Sequence, residues 1–197
     1  MMDFATFSGS FSDFVLLGLT HITDFEGYDH MLFLLALCGV YGLKNWKLVL
    51  ALITVFTLGH SSTILLGGMS IVRVNSAIIE WLIPITIAIT ALWNFFSKKD
   101  KTSVVPKLAL CLIIGFIHGL GFSGFVRMFV AEDEVVSGLL SFNLGVEVGQ
   151  VLVVTAILGL HHVAVKWIRI PQKFWIWVIS GFALVISLVL TIQNWPF

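Results

Sequence analysis

Long apolar segments follow one another through most of this chain, separated by short polar stretches. Six such segments cover roughly 29–43, 47–68, 76–96, 105–126, 135–163 and 174–194. An α-helix needs about 20 apolar residues to cross a bilayer, and every segment except the first reaches that length. Only 11% of the 197 residues are charged, whereas soluble domains carry about a quarter. The sequence therefore predicts an all-α integral membrane protein with a single transmembrane domain over 1–197.

The N-terminal part of the chain departs from this regular pattern. Residues 14–22 form an apolar stretch too short to span a bilayer, and the linker 23–27 would break a continuous helix. We therefore predict a bundle of six transmembrane helices preceded by a short interfacial or re-entrant half-helix. Residues 1–12 lack a basic region and a small-residue cleavage site, so we do not expect a cleaved signal peptide.

Charged residues are distributed unevenly between the two sides of this bundle. Nine of the eleven basic residues fall in the first, third and fifth loops, which the positive-inside rule places in the cytoplasm, with both termini outside. Acidic residues gather on the outer side, where they either attract cations or are simply solvated loop residues. The net charge of zero gives no footprint for a nucleic-acid partner. The nine basic residues are Lys44, Lys47, Lys98, Lys99, Lys101, Lys107, Lys166, Arg169 and Lys173. The acidic residues are Asp3, Asp13, Asp24, Glu26, Glu80 and 132–134.

Three histidines and one glutamate interrupt the apolar segments: His30, His60, His118 and Glu147. Ionisable groups at membrane depth are costly, so they usually face the protein interior or an aqueous path and mark a functional site. Each lies about 17–21 Å from the cytoplasmic end of its helix, at the usual helical rise. Imidazoles and a carboxylate meeting in one layer are typical ligands of a divalent transition metal. The alternative for each residue is a hydrogen bond that merely joins helices.

Four further polar residues lie near this layer. Asp29 precedes His30 and either binds the metal, orients the imidazole or caps the helix. Asn143 and Gln150 share a helix face with Glu147 and either line the site or join helices. His21 is either an entry ligand or a solvated residue. We predict the metal ligands His30, His60, His118, Glu147 and Asp29, with Asn143, Gln150 and His21 as possible accessory residues.

These residues stand in stretches that resemble the HupE/UreJ family of bacterial membrane proteins. The stretches are His21-Ile, Gly27-Tyr-Asp29-His30-Met-Leu-Phe-Leu-Leu, Phe56-Thr-Leu-Gly-His60-Ser, Phe116-Ile-His118-Gly-Leu-Gly-Phe and Phe142-Asn143-Leu-Gly-Val-Glu147-Val-Gly-Gln150. One difference concerns His21, which precedes Asp29 by eight positions where the family motif has six. The resemblance implies a multi-pass protein of the bacterial inner membrane that acts as a nickel or cobalt permease. It also implies a link to hydrogenase and urease maturation, and motif positions for Asp29, His30, His60, His118 and Glu147.

Three functions are compatible with these residues. The leading hypothesis is a secondary permease for a divalent transition metal, with nickel first and cobalt or zinc next, embedded in the lipid bilayer. The sequence has no nucleotide-binding motif, so ATP is not expected to drive transport directly. The alternative is an intramembrane metal-dependent hydrolase, in which three histidines hold zinc and Asp29 or Glu147 acts as the base. The third is an assembly subunit whose polar groups pack helices, and any of the three could form a homo-oligomer.

Overall fold

The computed structural model of the protein describes residues 9–24, 27–96, 103–130 and 135–196. Within these ranges the regular structure is helical, with no strand, as the sequence predicts. A 3-10 turn, Leu43–Asn45, leads into the third helix, and a π-helical turn, Val163–Trp167, extends the sixth. The α-helices of the described ranges are α1 Phe11–Thr23, α2 Asp29–Cys38, α3 Trp46–Gly68, α4 Ser76–Phe96, α5 Val104–Phe129, α6 Val135–His162 and α7 Gln172–Gln193.

Five of these helices, α3 to α7, are long and apolar enough to cross a membrane. The shortest of the five, α4, has 21 residues, which corresponds to about 32 Å at the usual helical rise. This exceeds the hydrocarbon core of a bilayer, which is about 30 Å thick. For the described residues, the prediction of an all-α protein with helices able to cross a membrane is therefore confirmed.

Two shorter helices, α1 and α2, form the N-terminal part. They contain 13 and 10 residues, so they extend about 20 and 15 Å, and neither crosses the hydrocarbon core alone. The predicted first segment ran to residue 43, whereas α2 ends at Cys38. In a longer helix the Gly39 carbonyl would accept an N–H four residues on. Here it accepts the indole N–H of Trp175 at 2.8 Å, so α7 takes over the bond that would continue α2.

The helix α1 packs along α6, and the two helices run in the same direction. Gly138 faces the ring of Phe14 near the start of both helices, and Gly149 faces Ile22 further along both. Between these points, a Cβ on Gly145 would overlap the α1 backbone. Small residues of this kind let membrane helices approach closely. The glycines of α6 therefore let α1 pack closely along a helix that is long enough to cross a membrane.

The helices α3 and α5 also run side by side in the same direction. A Cβ on Gly115 would overlap the carbonyl oxygen of Phe56, and one on Gly119 would overlap that of His60. His118 directly precedes Gly119. This close backbone contact fixes the relative height of the two buried histidines.

One end of the bundle, called the basic end below, is where α2 and α6 end and α3, α5 and α7 begin. Lys44, Lys107 and Gln172 line one cavity there. Lys98, Lys99 and Lys101, together with Asp3, Glu26 and residues 132–134, lie outside the described residues.

Candidate metal centre

Four histidines from four helices converge at the break between α1 and α2. His21 lies near the end of α1, His30 opens α2, His60 is in α3 and His118 is in α5. The central ring is that of His30. Its centroid lies 4.5 Å from that of His21, 5.5 Å from that of His60 and 5.3 Å from that of His118.

The possible ligand atoms form two sets that overlap at His30. In the first set, one ring nitrogen from each of His21, His30 and His60 lies within 4.8 Å of the other two. The same holds for ligand atoms of Asp29, His30 and His118. His30 is therefore the residue that the two sets share.

Several nitrogens of this cluster are buried without a hydrogen-bond partner among the described residues. They are Nε2 of His21, Nε2 of His30, both ring nitrogens of His60 and Nδ1 of His118. Each unpartnered buried polar atom costs about 1–3 kcal/mol. The lone pairs of these nitrogens therefore favour binding of an electron-pair acceptor. A borderline divalent metal suits imidazole nitrogens and therefore fits this donor set.

A threonine of α4 sets the tautomer of His118. The Thr86 hydroxyl donates its proton to the Ile83 carbonyl at 2.7 Å, so its oxygen is left to accept. We infer that His118 Nε2, at 3.1 Å from that oxygen, carries the proton and donates it. The lone pair then resides on Nδ1, which is the nitrogen without a partner.

Asp29 fixes His30 in the same way. Its Oδ1 accepts the Nδ1–H of His30 at 3.0 Å and the backbone N–H of the same residue at 2.8 Å. The lone pair of the His30 ring then lies on Nε2, which faces the cluster without a partner. Metal-binding histidines commonly donate their second ring nitrogen to a carboxylate, which orients the ring and raises its basicity.

Stacked phenylalanines cover the cluster on the side away from the basic end. Phe122 and Phe142 stack with their centroids 5.1 Å apart and their planes 12° apart. The His21 ring lies 4.3 Å from the Phe122 ring and 5.5 Å from the Phe142 ring. Phe122 stands one helical turn beyond His118 along α5, so the pair caps the cluster at that level.

A second stacked pair covers the opposite side, towards the basic end. Phe33 and Phe56 stack with their centroids 4.8 Å apart. The His118 ring lies 5.5 Å from the Phe33 ring and 5.4 Å from the Phe56 ring. Phe56 precedes His60 by one turn of α3. The histidines are thus enclosed between two apolar layers that keep water from their nitrogens.

Comparison with known families gives one match. The profile of the family described as HupE / UreJ protein matches residues 2–194. The chain belongs to the HupE/UreJ family. The match spans all the helices that supply the cluster. No curated protein and no solved structure matches the chain.

Four of the residues that the sequence predicted as metal ligands lie together in the structure: His30, His60, His118 and Asp29. His21, predicted only as an accessory residue, lies inside the cluster. Glu147, predicted as a ligand, belongs to neither donor set. Its half-buried carboxyl is hydrogen-bonded with Thr54 of α3.

The two predicted accessory residues on α6 join that helix to α3. Asn143 Oδ1 accepts the hydroxyl proton of Ser61 at 2.6 Å. Gln150 Oε1 accepts that of Thr57 at 3.0 Å. The sequence left two roles open for Asn143 and Gln150, which were lining the site or joining helices. The observed bonds join two helices.

Sequence reasoning did not identify Thr86 or the two phenylalanine pairs. A signal for Thr86 was present, because Thr86 and Thr90 place two hydroxyls on one face of an otherwise apolar helix. The phenylalanines gave no comparable signal in a chain that contains 17 of them.

Proposed function

We propose that the protein is a secondary permease for a divalent transition-metal cation, with nickel as the first candidate and cobalt or zinc as alternatives. The observation that carries this proposal is the buried set of unpartnered nitrogens on His21, His30, His60 and His118. Imidazole with a carboxylate suits these ions better than magnesium or calcium. Membership of a family associated with nickel and cobalt transport supports the same choice.

We further propose that α1 and α2 together form a sixth membrane crossing. The direction of α1 along α6 supports this, and so does the bond between Gly39 and Trp175, because both contacts are expected if α1 and α2 follow one another across the bilayer towards the basic end. Their combined length of about 35 Å suits a bilayer core. With the basic end in the cytoplasm of a bacterium, both termini lie outside.

A crossing that is interrupted at the level of the histidines suits transport. Secondary transporters commonly bind their substrates near the bilayer midplane, where a discontinuous helix exposes backbone ends. The break also lies where His21 and Asp29 remain partly exposed, while His60 and His118 are 0% and 1% exposed. A cation therefore enters at the break and exchanges its water for imidazole nitrogens.

Passage through the site then requires the enclosing layers to move. The cation binds first to His21, His30 and His60 and then moves to His118, while Asp29 keeps the Nδ1–H of His30 and leaves its Nε2 to the metal. The Phe33–Phe56 pair must separate before the ion can continue to the basic end. This enclosure supports transport over hydrolysis, since a zinc hydrolase needs an open coordination position that both water and substrate can reach.

Nickel uptake into proteoliposomes tests the proposal. Wild-type protein should take up nickel, and His60→Ala and His118→Ala should each abolish uptake and weaken equilibrium nickel binding. His162→Ala, which removes a histidine outside the cluster, serves as the matched control and should transport normally. Wild-type protein that binds nickel without transporting it would contradict the permease and favour a metal sensor or an enzyme.

A further inference from the structure

A cavity of about 390 Å³ opens at the basic end of the bundle, among α2, α3, α4, α5 and α7. Ligand sites in proteins commonly have volumes of about 300–1,000 Å³, so this space can hold a small molecule. Its charged residues, Lys44 and Lys107, are both positive, and no carboxylate lines it among the described residues. The polar side chains beside them belong to Tyr41, Asn45, Thr90, Asn94 and Gln172.

Two neutral side chains that line the cavity beside the lysines, Tyr41 and Asn45, can donate hydrogen bonds to a bound group. The Lys107 ammonium lies 5.6 Å from the centroid of the Tyr41 ring, which holds this half-buried side chain in the cavity. Burial raises the pKa of Tyr41 to about 12, so its hydroxyl stays protonated and able to donate at neutral pH. Asn45 Oδ1 already accepts the backbone N–H of Gly42, which leaves the amide N–H groups of Asn45 as donors. Two ammonium groups with neutral donors form a site for an anion.

The cavity is close to the metal centre along α4. Thr90 lines the cavity, and its hydroxyl donates to the Thr86 carbonyl at 2.9 Å. Thr86 in turn accepts the Nε2–H of His118. One helical turn therefore separates the cavity from a histidine of the cluster. A cation that leaves the histidines in this direction meets two positive charges, which repel it.

We propose that this cavity binds a small polyanion bearing carboxylate or phosphate groups, which accepts the metal cation as it leaves the histidines. The inference rests on the proposed permease function. The anion neutralises Lys44 and Lys107 and offers oxygen ligands to the cation, so release becomes favourable only when the acceptor is bound. The headgroup of an acidic lipid has the same chemistry and is the second possible source of the anion.

Citrate binding without metal tests the site directly. Isothermal titration calorimetry would use purified protein in phosphatidylcholine nanodiscs, comparing wild type with the double variant Lys44→Gln/Lys107→Gln. Charge-assisted hydrogen bonds predict that this variant binds citrate about tenfold more weakly or worse. Lysines at cytoplasmic helix ends also follow from the positive-inside rule. The control is therefore Lys166→Gln/Lys173→Gln, which removes the same charge from the same end but outside the cavity lining and should bind citrate normally.

Nanodiscs that contain phosphatidylglycerol separate the two sources of the anion. If this lipid weakens citrate binding to wild type and to the control but not to Lys44→Gln/Lys107→Gln, a lipid headgroup occupies the same anion site. Equal losses in both double variants, or no citrate binding in phosphatidylcholine nanodiscs, would overturn the proposal. Because these titrations contain no metal, such a failure would leave the permease proposal standing.

Acceptance of the metal is tested by nickel uptake into proteoliposomes loaded with citrate or with histidine, at matched free nickel. Citrate should accelerate uptake by wild type and by the Lys166→Gln/Lys173→Gln control, and should not do so for Lys44→Gln/Lys107→Gln. Equal rates with the two chelators in wild type would refute the role of the anion as acceptor.

Discussion

Replacing Thr86 by valine tests whether one hydroxyl controls the protonation of His118. Valine keeps the shape of threonine but lacks the oxygen that accepts the Nε2–H of His118 at 3.1 Å. Because the His118 side chain is only 1% exposed, water has little access to replace that oxygen. The imidazole can then also place its proton on Nδ1, which is the nitrogen proposed to bind metal.

Two magnitudes follow from this contact. The unpartnered N–H lowers the free energy of unfolding by about 1–3 kcal/mol. The loss of a group that orients a metal-binding histidine commonly lowers metal affinity about 10–100-fold, which corresponds to about 1.4–2.7 kcal/mol of binding free energy. Thr86→Val should therefore bind nickel more weakly than wild type but more tightly than His118→Ala.

Calorimetric nickel titration of the purified variants provides the assay. Thr191→Val is the matched control, because the Thr191 hydroxyl donates only within α7, to the Ser187 carbonyl at 2.7 Å. This control should bind nickel like wild type. If Thr86→Val also kept wild-type affinity while His118→Ala lost binding, the tautomer argument would be refuted.

Three further predictions concern packing, ligand identity and pH. Gly145→Ala forces a Cβ onto the Val15 carbonyl of α1 and should destabilise the protein by about 1–3 kcal/mol. Gly159→Ala on the same helix meets nothing within 4 Å, so equal thermal unfolding of the two variants would contradict the packing. Glu147→Gln should leave nickel affinity unchanged in titrations, because Glu147 belongs to neither donor set; a large loss would restore it as a ligand. Nickel affinity should fall as the pH is lowered, since a proton on imidazole occupies the lone pair that binds metal, and an affinity that stays constant at every pH at which the protein remains folded would contradict a histidine site.

The sequence predicted how far along its helix each polar residue lies more successfully than the direction in which its side chain points. Helical rise alone estimates how far a residue lies from a helix end, and His60 and His118 indeed meet at one level. The direction in which a side chain points depends on how its helix is rotated in the bundle. Asn143, Glu147 and Gln150 share one face, as predicted, but that face lies against α3, with bonds to Ser61, Thr54 and Thr57 respectively.

The place of His21 could not be predicted from its own segment. The sequence of a helix as short as α1 predicts an interfacial segment. Only the packing of α1 against the glycines of α6 brings His21 to the cluster. The phenylalanine pairs depend in the same way on contacts between residues distant in sequence. Phe33 comes from α2 and Phe56 from α3, and their stacking requires both helices to be in place.

X-ray absorption at the nickel edge of the loaded protein tests the central claim most directly. Wild-type protein should give a spectrum dominated by imidazole scattering. In His30→Ala, which removes the residue common to both donor sets, the imidazole contribution should fall and nickel affinity should drop. A wild-type spectrum with oxygen or sulfur ligands and no imidazole, or one that is unchanged in His30→Ala, would contradict a histidine centre that binds the transported ion.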